Sequence, residues 1–161
     1  MKIKYPLAKE TINKEDIDAL CEWLKSYPRL TKGNLTLEVE DEWAKYIGTR
    51  YAAFNNSGSS ANLLMIYTAI MCGKIENKKI VVPSVGWVTT ISPAIQFGLD
   101  PIMCGADSKT FGMDLDQLEE ICEKERPDAV IYVQVLGVPH HRERLLALKK
   151  KYGFFLMEDA C

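Results

Sequence analysis

With 161 residues, 47% of them hydrophobic and 26% charged, the chain can bury one ordinary core and has the composition of a globular protein, not of a disordered or fibrous one. Its formal net charge of -2 excludes a broad phosphate-neutralising face, so no nucleic-acid partner is expected; the basic run Lys149, Lys150, Lys151 reads as the solvated end of a helix. Five cysteines with no CxxC pair exclude a disulfide framework and a zinc site, and read as reduced, mostly buried thiols.

The amino terminus, MKIKYPLAKE, has no apolar core of signal-peptide length, and no run approaches the roughly 18 apolar residues of a membrane span. No membrane partner is expected, and the expected location is the cytoplasm. A helix is predicted from about Asn13 to Tyr27, with Asn13 as N-cap and Ile17, Leu20, Cys21 and Leu24 on one stripe. A second runs from about Leu37 to Ile47, where Val39, Trp43 and Tyr46 repeat at helical spacing and Gly48 is the stop.

From Tyr51 onward short apolar strands alternate with helices. The strands are YAAF (51–54), KIVVP (79–83), PIMC (101–104), AVIYVQ (129–134) and FFLME (154–158). Helices are predicted over 60–71, 89–97, 114–125 and 142–152, ending at Gly73, Gly98, Pro127 and Gly153. Asp114 with Gln117 opens the third of these as a variant capping box. This alternation predicts an α/β fold, a mostly parallel sheet flanked by helices, with residues 1–50 as an amino-terminal helical segment and 51–161 as the α/β part. Ligands of such sheets bind beyond the carboxyl ends of the strands.

The row NNSGSS (55–60) stands on that rim, where strand 51–54 gives way to helix 60–71. The first N–H groups of a helix lack internal acceptors, and the aligned peptide dipoles make that end partly positive, so a phosphate suits it. Gly58 permits an unusual backbone angle and close ligand approach, while Ser59 and Ser60 offer N–H and hydroxyl donors. The apolar continuation ANLLMIYTAIMCG is expected to bury this helix on most sides. Neither GxGxxG nor a Gly-Lys-Ser/Thr loop is present, and a capped turn with no ligand is the alternative.

Further along the rim, Glu158 and Asp159 end an apolar strand. A carboxylate there can bind a metal, act as a base, pair with a protonated ring nitrogen, or cap the next turn. Trp87, in SVGWVTT, is a core anchor or a platform for a flat ring. Gln134 closes an apolar strand with an amide. His140 and His141 are sequence neighbours whose side chains diverge, which makes a poor metal pair; no metal is expected.

A phosphate cradle, an aromatic platform and a carboxylate suit a flat, phosphorylated, ring-nitrogen cofactor. The segments LTKGNLTLEVEDEWAKYIGTRYAAFNNSGSSANLLM, VVPSVGWVTT, QFGLDPIMC and LMEDAC resemble, in order and spacing, the DegT/DnrJ/EryC1/StrS sugar aminotransferases. The resemblance runs from Leu30 onward, and its wording is nearest to the nucleotide-sugar aminotransferase and 3-dehydratase branch. It implies the large domain of a fold-type I enzyme that uses pyridoxal 5'-phosphate, with Gly58 and Ser59 at the phosphate, Trp87 stacked on the ring and Asp159 at the ring nitrogen; Ser60, from the loop itself, and Gln134 complete the expected cofactor-binding residues. It further implies a nucleotide-linked keto-sugar substrate and glutamate as amino donor. A homodimer is also implied, with the segment around Leu30 to Leu35 facing the partner.

The resemblance makes aminotransfer the first expectation and 3-dehydration the second; a non-catalytic remnant is the third. The residue that separates the two chemistries, a Schiff-base lysine or a histidine, is expected beyond Cys161, which makes this chain the amino-terminal part of a longer enzyme. No catalytic residue is assigned within it. Lys32 belongs to the LTKG segment ahead of the sheet and is not its substitute.

Overall fold

The computed structural model describes residues 9–138 and 141–160. Cys161, His140 and the first eight residues, on which expectations about thiols, metal binding and a leader rest, lie outside them. The chain divides into two compact units, the first ending at Phe54 and the second starting at Asn55.

In the first unit, α1 spans Lys14–Lys25 and α2 spans Asn34–Ile47. Asn13 caps α1 in a complete capping box: its side chain accepts from the Asp16 N–H (3.0 Å), and Asp16 accepts from the Asn13 N–H (2.9 Å). The stripe Ile17, Leu20 and Leu24 is exposed, contrary to the burial that a helical stripe implies. Gly48, at φ 79°, closes α2 in the left-handed conformation that only glycine adopts without strain.

The second unit carries α3 (Gly58–Met71), β1 (Lys79–Pro83), α4 (Val88–Gln96), β2 (Asp100–Cys104), α5 (Leu115–Glu125), β3 (Ala129–Val133), α6 (Arg142–Tyr152) and β4 (Phe155–Asp159). The strands form one parallel sheet in the order β2-β1-β3-β4. Parallel neighbours need long crossovers, which α4, α5 and α6 supply.

Side chains of successive strand residues face opposite ways, and this sorts the core into two layers. Ile80, Val82, Ala129, Ile131 and Met157 pack with Ile66, Ala69 and Ala94 on the α3/α4 side. Val81, Val130 and Tyr132 pack with Leu118, Cys122, Leu145 and Leu148 on the α5/α6 side. All five residues of β3 are buried because both faces of this central strand are covered.

The segment 51–54 forms no strand. A strand exists only through a paired neighbour, and the Phe54 N–H donates instead to the Glu40 carboxylate (2.9 Å). Helix α3 starts two residues before the expected 60, because Ser57 rather than a later serine caps it. Its burial also differs from expectation: Asn62, Ile66 and Ala69 are buried, whereas Leu64, Tyr67 and Met71 stay exposed. Among the cysteines, Cys104 and Cys122 are buried while Cys21 and Cys72 are exposed, so only half of the described four fit the expectation. No helix among the described residues is long and apolar enough to cross a membrane.

Candidate functional site

Parallel pairing aligns the carboxyl ends of the strands, with Pro83 opposite Cys104 and Val133 opposite Asp159. Helices α3 and α4 both present their first turns to this rim. Ser57 accepts from the Ser60 N–H (3.2 Å) and also donates its hydroxyl to Ser60 Oγ (3.2 Å). The Ser60 N–H is therefore engaged in the cap, and Gly58 and Ser59, both exposed, hold the first-turn N–H groups that no intrahelical acceptor can reach. Gly58 is helical with no positive φ, and a Cβ there would meet nothing within 4 Å. The unusual backbone angle expected of it is absent.

Asp159, the last residue of β4, is half-buried between the two helix starts. Its Oδ2 accepts from Asn62 Nδ2 of α3 (2.9 Å) and from Thr90 Oγ of α4 (2.7 Å). Asn62 and Thr90 are 6% and 1% exposed, and they are the buried polar side chains of the described core. Burying such groups is tolerated only with partners, and both find theirs on the same carboxylate oxygen.

The Asn62 amide makes one more bond, to the Thr89 carbonyl (3.3 Å). That carbonyl is four residues ahead of Pro93, which sits inside α4 and has no N–H to return to it. Asn62 thus fills the acceptor that the proline leaves open and ties α3 to α4. Sequence reasoning passed over Asn62, Thr90 and Pro93. The available signals were an asparagine within an apolar helical run and a proline inside a predicted helix.

Trp87 is the N-cap residue of α4 and is 75% exposed, so the core-anchor reading does not hold. Gln134 lies elsewhere: its Nε2 donates to Glu158 Oε1 (2.6 Å) beside Tyr132, Leu156 and Arg142, in a pocket of about 170 Å³ on the α5/α6 side. Since Asp159 faces α3 and α4, the structure brings together Gly58, Ser59, Ser60, Trp87 and Asp159 on one side and sends Gln134 and Glu158 to the other. In the first unit, Lys32 pairs with Glu40 (2.7 Å), and this contact holds the Glu40 carboxyl below the ordinary glutamate range.

A model of the DegT/DnrJ/EryC1/StrS aminotransferase family matches residues 10–161. The GDP-4-keto-6-deoxy-D-mannose 3-dehydratase of Yersinia pseudotuberculosis is 32% identical over 162 residues, 99% of this chain and 41% of that protein. The dTDP-4-dehydro-2,6-dideoxy-D-glucose 3-dehydratase of Saccharopolyspora spinosa is 32% identical over 138 residues, 83% of this chain and 30% of that protein. Among solved structures, E. coli GDP-4-keto-6-deoxy-D-mannose-3-dehydratase with bound hydrated PLP gives a TM-score of 0.90 at 31% identity, covering 100% of this chain and 42% of that one. The chain spans less than half the length of each of these relatives.

Proposed function

Because the chain belongs to the DegT/DnrJ/EryC1/StrS aminotransferase family, we propose that it builds one wall of a pyridoxal 5'-phosphate site in an enzyme that removes the C3 hydroxyl of a nucleotide-linked 4-keto-6-deoxysugar. The sequence alone put aminotransfer first. The three relatives described above are named as 3-dehydratases, and they favour the second expectation over the first. Homodimeric assembly is part of the proposal and rests on the resemblance; the cytoplasmic location is carried over from the reading of the sequence.

The observation that carries the cofactor reading is Asp159, fixed through one oxygen between two helix starts at the carboxyl rim of a parallel sheet. The residues fit the group. Gly58 and Ser59 offer first-turn N–H donors to a phosphate, and the exposed Trp87 ring offers a face to a pyridine. When bound, the cofactor supplies an electron-accepting ring. Asp159 holds a proton on the ring nitrogen through a charge-assisted hydrogen bond, which keeps that ring cationic. Trp87 fixes the plane of the ring and the start of α3 anchors its phosphate, so the two ends of a flat ligand are held by separate elements. Lys32, paired with Glu40, is assigned no proton transfer.

An absorbance titration of the full chain with pyridoxal 5'-phosphate tests the reading. Saturable binding that weakens in Asp159→Asn and in Trp87→Ala supports it; a folded chain that binds nothing overturns it. In a longer protein that carries this chain together with the expected lysine or histidine, product analysis with glutamate and a nucleotide-linked 4-keto-6-deoxysugar separates the two chemistries. A nitrogen-free sugar lacking the C3 oxygen supports the dehydratase, and an amino sugar formed with an equal amount of 2-oxoglutarate supports the aminotransferase.

A further inference from the structure

We propose that Asn62 and Thr90 are positioning residues that lock the Asp159 carboxylate so that its second oxygen, Oδ1, is the one presented to a cationic ring nitrogen. The inference rests on the cofactor reading above and adds to it the device that aims its central contact.

A carboxylate at a strand end is free to rotate about its last bond, and that rotation is broad and shallow. Here it is pinned. Thr90 Oγ at 2.7 Å and Asn62 Nδ2 at 2.9 Å both donate to Oδ2, from different helices. Among the described residues no hydrogen bond is made to Oδ1. One oxygen is doubly engaged and the other is left for a donor that comes from outside the pair.

The direction of each bond is fixed by chemistry. Asn62 presents its nitrogen to two acceptors, Asp159 Oδ2 and the Thr89 carbonyl left open by Pro93, so its amide cannot flip without losing both. Thr90 is almost fully buried, and its hydroxyl donates to Asp159 Oδ2. Two polar side chains buried to 6% and 1% exposure are expensive to keep without partners. Their common target is the group that would meet the ring nitrogen. A charge-assisted hydrogen bond is sensitive to angle, so a fixed carboxylate holds the ring proton better than one that samples several rotations.

The test measures two quantities in the full chain: the dissociation constant for pyridoxal 5'-phosphate, and the pH midpoint of the ring-nitrogen proton, followed by the ¹⁵N shift of ring-labelled cofactor. Thr90→Val keeps the shape and removes the donor; Thr90→Ser keeps the donor. Losing one hydrogen bond to a charged group predicts roughly tenfold weaker binding. The ring-nitrogen midpoint falls by roughly one pH unit in Thr90→Val. Thr90→Ser returns both toward wild type. If Thr90→Val does not fold, as judged by its circular dichroism melt, Asn62→Leu decides by the same two readouts.

Wild-type values for both quantities in a folded Thr90→Val or Asn62→Leu chain, with Asp159→Asn still losing the ring proton, would overturn the positioning role and leave the cofactor reading standing. No cofactor binding by the wild-type chain would instead remove the cofactor reading, and this inference with it.

Discussion

Trp87 stands exposed at the start of α4. It is 75% exposed, so Trp87→Ala removes little packing, and the thermal melt is expected to stay within about 2 °C of wild type, since exposed substitutions change stability by less than about 0.5 kcal/mol. Cofactor affinity should fall by roughly tenfold if the ring stacks, from the ~1 kcal/mol of an aromatic pair and its buried area. A melt that drops with the affinity would assign Trp87 to structure instead. The thiols form a second contrast. Burial pushes Cys104 up to about 12, with the Asp114 carboxylate adding to it, and burial pushes Cys122 up to about 11. The thiolate is the reactive form, so at pH 8 iodoacetamide should label Cys21 and Cys72 in the folded chain and reach Cys104 and Cys122 only after unfolding. Mass mapping of the labelled peptides checks this.

At the scale of elements, the α5–α6 pair is held by an apolar seam and an exposed charge network. Lys151 Nζ meets Glu119 (2.8 Å), and Arg144 contacts both Asp116 and Glu119. These partners, the Lys151 hydrogen bond first, lower the Glu119 pKa below its ordinary value. A carboxyl whose folded pKa lies below the unfolded one stabilises the fold above the unfolded value and loses that contribution as pH falls through the folded one. Glu119→Gln should therefore lower the melting temperature at pH 7. The difference should close as pH falls below the ~4.3 of a free glutamate, and shrink in high salt. Melts from pH 7 to pH 3 read it directly; a gap that does not narrow as pH falls below the free-glutamate value would contradict it. At the start of α5, Asp114 accepts from the Asp116 and Gln117 N–H groups (2.9 and 3.2 Å), so Asp114→Ala should cost ~1 kcal/mol in a denaturant titration.

Across the whole molecule, surfaces stay uncovered that the sequence marks as interior. Helix α3 is apolar around its circumference, yet Leu64, Tyr67 and Met71 are exposed. Among the described residues β2 and β4 are outer strands, and the β4 side carries an apolar groove lined by Ala61, Leu64, Met65, Phe155 and Met157. Unpaired strand edges beside apolar surface promote association. The chain by itself is expected to self-associate, with a sedimentation coefficient that rises with concentration. A monomer with a single sharp melt would contradict this.

The sequence by itself determined the alternation of strands and helices, because that order is written locally in apolar runs, caps and stops: Asn13 and Asp114 cap their helices as read, and Gly48, Gly98 and Gly153 all take positive φ at helix ends. It also pointed to Asp159 and to the start of α3. Tertiary structure alone decided what depends on residues far apart in the chain. YAAF has the composition of a strand yet forms none among the described residues, and Gln134, one residue past the Val133 that pairs with Asp159, turns to Glu158 while Asp159 turns to Asn62 and Thr90, a parity set by register. The partnership of Asn62, Thr90 and Asp159 spans 97 residues of sequence in one bond and 69 in the other. No local pattern encodes a hydrogen bond of that range; it forms because the parallel sheet brings two helix starts to the end of one strand.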